Sequence, residues 1–235
     1  MTLTVALLVP LTLTLGFWQL DRAEQKREYQ DVLFSRLAKA PVAGRDTVAP
    51  KPFQRIRLEG EFEANRYFLV DNQVANGSVG YWVVHGFATQ DGRRWLVNRG
   101  WVAGGGRRER LPAVPLPAGR VVTVGVAWPD LGLVPLLGED DWSQDWPVRV
   151  QRLDVAQMAQ SLDDAVPVEV RLEAGQPGAL QAAPLTVGFE AERHDGYAVQ
   201  WFALAGVLVL GYAAYGLRAG QSSRRAGDRP NGGKI

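Results

Sequence analysis

The sequence lacks cysteine and is poor in histidine, and both shortages limit its chemistry. Its 235 residues include no Cys and only two His, His85 and His194. Disulfides, thiolate metal sites, iron–sulfur clusters and Cys nucleophiles are therefore excluded, and this chain alone cannot build a site from several histidines. A charge excess is also missing, because 26 Lys and Arg stand against 25 Asp and Glu. This balance argues against a nucleic-acid-binding protein, which would carry a basic excess.

Catalytic motifs are scarce as well. The sequence contains no phosphate-binding loop, nucleophile elbow or dinucleotide fingerprint. The run 104–106 of three glycines is most simply a loop, and the acidic pairs at 140–141 and 163–164 are typical of solvated carboxylates. His85 lies within a predicted strand, which favours a structural, half-buried histidine. We therefore expect a protein that is not an enzyme, and a membrane-anchored enzyme is the least favoured class.

Two long uncharged segments are the strongest feature of the sequence. They cover Thr2–Leu20 and Tyr197–Leu217, which at ~1.5 Å per residue reach about 27 and 31 Å, close to the ~30 Å hydrocarbon core of a bilayer. Neither has the polar stripe of a soluble helix. We predict two transmembrane helices rather than buried core helices. The first is expected to be an uncleaved anchor rather than a signal peptide, because no Lys or Arg precedes it.

Basic residues after the second segment predict the orientation. Between Arg218 and Lys234 five basic residues stand against one acidic residue, and basic flanks favour the cytoplasmic side. Both termini are then cytoplasmic and residues 21–196 extracytoplasmic, in an integral protein of a bacterial plasma membrane. Arg22, Lys26 and Arg27 favour the opposite orientation, since they follow the first segment directly.

The chain divides into five predicted parts. Residues 1–20 and 197–217 are the transmembrane helices, 21–52 an outward helical extension and linker, 53–196 a β-rich extracytoplasmic domain, and 218–235 a disordered basic tail. In the extension, residues 21–40 are predicted to be helical, and Leu33, Phe34 and Leu37 form an apolar face that could dock on the domain.

The central domain shows the two-residue period of strands. Turn signals at Asn76-Gly77 and Asp91-Gly92 separate the runs and predict hairpins. A short helix at Asp154–Leu162 begins with a capping box formed with Gln157. The predicted fold class is membrane-anchored α+β, with a two-helix transmembrane hairpin and a mainly antiparallel β domain. The predicted strands begin near Phe53 and continue at Tyr67–Asp71, Val79–Ala88, Trp95–Val102, Arg120–Trp128, Val148–Leu153, Val168–Leu172 and Leu185–Phe189.

His194 has a distinctive position, three residues before the second apolar segment. If the helix extends back through Gly196, then His194, Tyr197 and Trp201 lie on one face. A neutral imidazole there can serve as an axial iron ligand with aromatic side chains around a porphyrin. The alternative is an interfacial histidine that only bonds lipid headgroups or the domain. Position alone leaves both open.

The two segments carry the same triplet in reversed order, Phe17-Trp18-Gln19 and Gln200-Trp201-Phe202. In an antiparallel hairpin this order places like residues at like depth. Trp18 and Trp201 would lie together at the interface with lipid, and Gln19 would hydrogen bond to Gln200. The same alignment brings Arg22 and Lys26 near His194, where they could meet the propionates of a haem.

These residues resemble the surfeit locus protein 1 family of cytochrome c oxidase assembly factors. The resemblance implies a two-span factor without enzymatic turnover, which binds haem a in its bacterial members. It implies His194 as haem ligand, with oxidase subunit I and haem a synthase as partners. Asp195 and the glycines after Ala103 depart from the family pattern. The motifs that carry it are Leu15–Arg22 with Lys26, Leu96–Val102 and His194–Phe202, and more weakly Val70–Asn72 with Gly80-Tyr81 and Trp146-Pro147 with Gln151–Asp154.

The implied site consists of His194 on the iron, with Trp18, Tyr197 and Trp201 packing on the macrocycle. Arg22 and Lys26 would hold the propionates. The alternative function is a cofactor-free binding module that is tethered to the membrane and assists oxidase subunits by contact alone.

Overall fold

A computed structural model describes residues 2–47, 49–105, 111–130, 140–142, 145–183, 185 and 191–227, the last nine by their backbone alone. The chain divides into two compact units, one formed by Met1–Asp31 with Val187–Ile235 and the other by Val32–Thr186. Each unit is described by itself.

Two long helices form the first unit. Helix α1 covers Thr2–Leu37 and a second long helix covers Ala191–Gly227, and both are long and apolar enough to cross a membrane. Polar threonines fit into α1 because their hydroxyls donate to carbonyls of the preceding turn, Thr12 to Leu8 at 2.9 Å and Thr14 to Pro10 at 2.8 Å. The apolar segment therefore carries polar side chains that are already satisfied.

The two helices pack closely at Gly16. The rings of Phe17 and Phe202 meet edge to face with centroids 5.2 Å apart, and a Cβ at Gly16 would lie 2.6 Å from the Phe202 ring. The Tyr212 hydroxyl lies 3.2 Å from that of Thr2 near the other end. The predicted antiparallel pairing is thus confirmed for the two phenylalanines of the reversed triplets.

Gly16→Val should force the two helices apart, because a side chain has no room beside Phe202. Overpacking of this kind costs on the order of 1–3 kcal/mol. The chain has no cysteine, so spin labels on single cysteines at Leu13 and Val207 can report the helix separation. We expect a longer and broader distance distribution. Gly206→Val is the matched control, since nothing lies within 4 Å of its added Cβ, and an unchanged distance in Gly16→Val would contradict the close approach.

The helix ends differ from the prediction in two respects. The helix predicted for residues 21–40 is confirmed to Leu37, but Phe34 is 66% exposed while Leu33 is 2% exposed, so Phe34 does not belong to a docked face. The C-terminal helix continues to Gly227, whereas a disordered tail was predicted from residue 218. Residues 228–235 lie outside the described part.

In the described part of the second unit, seven strands form one sheet. A short helix, α2, covers Val155–Ser161, and the long C-terminal helix is named α3. The pairing closes on itself in the order β2-β3-β4-β7-β5-β2, with β1 and β6 on further edges of β2. The strands are β1 Val42–Ala43, β2 Arg55–Ala75, β3 Ser78–Thr89, β4 Arg94–Ala103, β5 Val121–Trp128, β6 Val148–Val150 and β7 Val166–Leu172.

The prediction of a mainly antiparallel domain is wrong, because the sheet is mixed. Strand β2 is antiparallel to β3 and β5 but parallel to β1 and β6. Strand β4 is antiparallel to β3 and parallel to β7. A hairpin can be predicted from its turn, whereas the parallel pairs β2–β6 and β4–β7 join strands that are distant in the chain and leave no local signal.

Local predictions fared better. Asn76-Gly77 (φ 50° and 73°) and Gly92 (φ 80°) form the turns of the β2–β3 and β3–β4 hairpins, and Asp154 caps α2 by accepting from the Gln157 N–H at 3.1 Å. The strands predicted on either side of residue 65 form one bulged strand, β2. The strand predicted at Leu185–Phe189 lies outside the described residues except for Leu185.

Candidate functional site

His194 is held by a residue of the other long helix. It lies in the first turn of α3 and is half-buried, and its Nδ1 is 2.7 Å from the Oε1 of Gln19 on α1. An amide oxygen only accepts, so Nδ1 carries a ring proton, and in the neutral imidazole Nε2 carries the lone pair. Among the described residues no hydrogen bond reaches Nε2. That nitrogen is therefore available to a ligand.

The acidic residue next to His194 forms an ion pair with an arginine. Asp195 forms an ion pair with Arg27 of α1, and Arg27 also lies 3.3 Å from Glu24. The departure of Asp195 from the family pattern therefore does not place an unpaired charge beside the imidazole. Sequence reasoning missed this pair, although a basic residue opposite an acid at a helix hairpin is a signal that could have found it.

Arg22 and Trp18 lie together on α1. The guanidinium carbon of Arg22 is 5.7 Å from the Trp18 ring centroid, and its Nη1 donates to Gln25 at 3.0 Å. Trp18 is 48% exposed and offers a broad aromatic surface next to a cation. At an exposed site a cation–π contact contributes about 0.5–1 kcal/mol.

The remaining predicted residues are placed without polar contacts. Tyr197 is 52% exposed, and Trp201 and Lys26 are half-buried. Within the described part of the chain, none of these three side chains forms a hydrogen bond or ion pair. The polar and cation–π contacts join His194 to Gln19 and Arg22 to Trp18.

The predicted Gln19–Gln200 hydrogen bond is wrong. Gln19 bonds to His194 instead, and Gln200 is exposed. Alignment by depth compares positions along the helix axes, but rotation about those axes decides which side chains meet. Gln19 is consequently the functional candidate that sequence reasoning misassigned.

The donor set of this unit fits a porphyrin better than a bare ion. Among the described residues no three His, Asp or Glu side chains converge as metal ligands. A porphyrin supplies four nitrogens and needs only an axial ligand, apolar or aromatic surface and cations for its carboxylates. His194, Trp18, Tyr197 and Arg22 offer groups of those three kinds.

The second unit contains the motif Asn98-Arg99-Gly100, and its role is structural. The Asn98 amide donates to Glu169 at 2.6 Å and accepts from the Gly100 N–H at 2.9 Å. Gly100 has φ +107°, and a Cβ there would lie 2.1 Å from the Gln181 carbonyl oxygen. Only glycine is compatible with that conformation and approach.

Arg99 is a buried cation at a β-bulge. Asn98 pairs with Val84 and Gly100 with Val83, so Arg99 is the extra residue in β4. Its Nε and Nη2 donate to the carbonyls of Gly178 and Pro115, each at 2.6 Å. The guanidinium clamps two loops onto the sheet.

His85 lies on the same buried cluster. Its Nδ1 is 3.3 Å from the Arg99 Nη1 and its Nε2 is 2.9 Å from the Glu63 carbonyl. Arg99 only donates and the carbonyl only accepts, so Nε2 carries the proton and the ring is neutral. Burial, and then the Arg99 charge, lower the pKa of His85 to about 3. The prediction of a structural histidine is confirmed, and the side chain is fully rather than half buried.

The described parts define a class of protein with a closed mixed sheet between two long apolar helices in the sequence. One helix precedes the sheet in the chain and the other follows it. Comparison with known families identifies it further. The chain belongs to the SURF1 family, whose model matches residues 6–206. The match includes Gln19, Arg99 and His194, and it confirms the family resemblance carried by the sequence motifs.

Curated relatives agree over most of the chain. A SURF1-like protein of Rickettsia felis is 23% identical over 220 residues, which cover 91% of this chain and 95% of the relative. A SURF1-like protein of Rickettsia bellii is 22% identical over 219 residues, or 91% and 89%. One from Dictyostelium discoideum is 28% identical over 101 residues, or 38% and 37%.

Proposed function

We propose that this chain is a membrane-anchored assembly factor of cytochrome c oxidase that holds haem a at His194. Membership of the SURF1 family supports the assembly role. The observation that carries the haem proposal concerns His194, whose Nδ1 is bonded to Gln19 while no hydrogen bond among the described residues reaches its Nε2.

The two long helices support the membrane anchor. They are exposed and apolar, with Leu7 at 65% and Leu210 at 71% exposure, and a lipid bilayer would cover that surface. The basic residues after Leu217 favour a cytoplasmic position for both termini. The sheet unit would then lie outside a bacterial plasma membrane.

In this proposal haem a is cargo rather than a resident cofactor. The chain's own part is to offer the His194 imidazole to iron, aromatic surface at Trp18, Tyr197 and Trp201, and the Arg22 and Lys26 cations to the propionates. Bound haem a would supply the iron centre that subunit I later holds. We propose subunit I and haem a synthase as partners of the sheet unit, with no enzymatic turnover by this chain.

The test is an absorption spectrum of the full chain, purified in detergent after co-expression with a haem a pathway. His194→Ala should lose the haem a band, because it removes the ligand atom. Glu192→Ala is the matched control, an exposed residue in the same helical turn, and should keep the band. Far-UV circular dichroism checks that both variants fold.

Each outcome separates the candidate functions. Haem retained by His194→Ala at the parental stoichiometry would contradict His194 as the ligand. A parent that folds but binds no haem would favour the cofactor-free module, which assists oxidase subunits by contact alone.

A further inference from the structure

We infer that Gln19 is a positioning residue for His194, because its side-chain oxygen holds the imidazole in the Nδ1–H tautomer and so presents Nε2 as the ligand atom. The two residues are 175 positions apart in the chain and meet only because α1 and α3 pair. The consequence for haem rests on the proposed function, whereas the tautomer does not.

The carboxylate next to His194 in the chain is engaged elsewhere. Asp195 adjoins His194 in the chain, but its carboxylate is paired with Arg27. The acceptor at Nδ1 is Gln19, at 2.7 Å. The hydrogen bond at one ring nitrogen decides which nitrogen is free to bind iron, so Gln19 sets the identity of the ligand atom as well as the ring orientation.

The chemistry of the acceptor also sets the strength of the site. A carboxylate at Nδ1 would raise the basicity of the imidazole, and partners of this kind tune metal sites strongly. An amide orients the ring with a smaller increase in basicity, and it adds no further charge beside the Arg27–Asp195 ion pair. A neutral acceptor therefore suits a site that must release its haem.

The tautomer can be measured without haem. The chain has two histidines, and the structure gives them opposite tautomers, Nδ1–H at His194 and Nε2–H at His85. Nitrogen-15 NMR of histidine-labelled, haem-free protein in detergent at pH 8 should show one of each. Gln19→Leu should abolish the Nδ1–H signal of His194 and leave His85 unchanged. Gln200→Leu, at an exposed glutamine of α3, should change neither.

Haem titration then tests the consequence. We expect Gln19→Leu to weaken haem binding on the order of tenfold, the low end of the effect of such outer partners. Gln19→Glu should bind more tightly and lower the midpoint potential of the bound haem, since a more basic imidazole stabilises ferric iron. Gln200→Leu should match the parent in both.

The outcomes are distinguishable from failure of the proposed function. An Nε2–H tautomer at His194 in the haem-free parent would overturn the inference whatever the haem result. Parental haem affinity in Gln19→Leu, beside loss of haem in His194→Ala, would overturn the positioning role alone. An Nδ1–H signal that depends on Gln19, in a chain whose His194→Ala variant keeps its haem, would uphold the tautomer and refute the haem ligand.

Discussion

Arg99→Met is expected to destabilise the sheet unit by about 3 kcal/mol. The substitution keeps an unbranched stem but leaves the carbonyls of Gly178 and Pro115 and the His85 Nδ1 without their donor. Each buried acceptor without a partner costs about 1–3 kcal/mol. Release of the buried charge offsets part of that sum, and the remainder is still a large fraction of a typical stability of ~5–15 kcal/mol. Chemical unfolding of the full chain, followed by tryptophan fluorescence, measures it.

Arg99→Lys separates charge from geometry. Three different nitrogens of Arg99 serve three acceptors, and one ammonium cannot reproduce that fork. Lysine should therefore lose most of the same stability. Arg57→Met, at an exposed arginine of β2, is the matched control and should stay close to the parent. A parental unfolding midpoint in Arg99→Lys would show that the charge alone matters.

The burial of Arg99 and its contacts could not be predicted from the sequence. Charged residues are rarely buried, and a motif places Arg99 in a strand without saying that a bulge turns it inward. The bulge appears only in the pairing of β4 with β3. Its acceptors lie on loops after β4 and after β7, so no local pattern connects them. Long-range polar contacts of this kind cannot be predicted from one sequence.

Short-range features were predictable because their causes are local. The Asn76-Gly77 turn needs positive φ at both residues, which Asn and Gly tolerate, and the cap of α2 needs only Asp154 three residues before the Gln157 N–H. The parallel pairing of β4 with β7 joins Leu96 to Glu169, and neither strand signals the other. The hairpins were predicted for this reason, and the mixed sheet was not.

The candidate site was half predictable. The position of His194 before an apolar segment singles it out, and the reversed triplets correctly pair Phe17 with Phe202. The partner of His194 was missed because side-chain reach and helix rotation decide it. A glutamine in an apolar helix needs a hydrogen-bond partner. That requirement correctly singled out Gln19, but the predicted partner was Gln200 and the observed partner is His194.

His85 is expected to make the sheet unit lose stability as pH falls below about 6.5. Burial and the neighbouring Arg99 lower the pKa of His85 from 6.5 to about 3, because protonation would place a second cation 3.3 Å from a buried guanidinium. The unfolded chain therefore binds the proton first, so stability is full above pH 6.5 and is lost towards pH 3. The slope is about 1.4 kcal/mol per pH unit, or about 2 kcal/mol between pH 6.5 and 4.5.

The window between pH 6.5 and 4.5 isolates His85 from the carboxylates. The pKa values of Asp91 and Asp163 are lowered from 3.8 by hydrogen bonds from Thr89 and Arg66, respectively, so their contributions are lost only at lower pH. His85→Gln keeps a donor and an acceptor but does not titrate, and it should flatten the dependence of unfolding free energy on pH in this window. A parental slope in His85→Gln would contradict the assignment, because the variant has no imidazole to titrate in this window. In the parent, the neutral ring lies between the Arg99 guanidinium and the Glu63 carbonyl, and protonating it there is unfavourable.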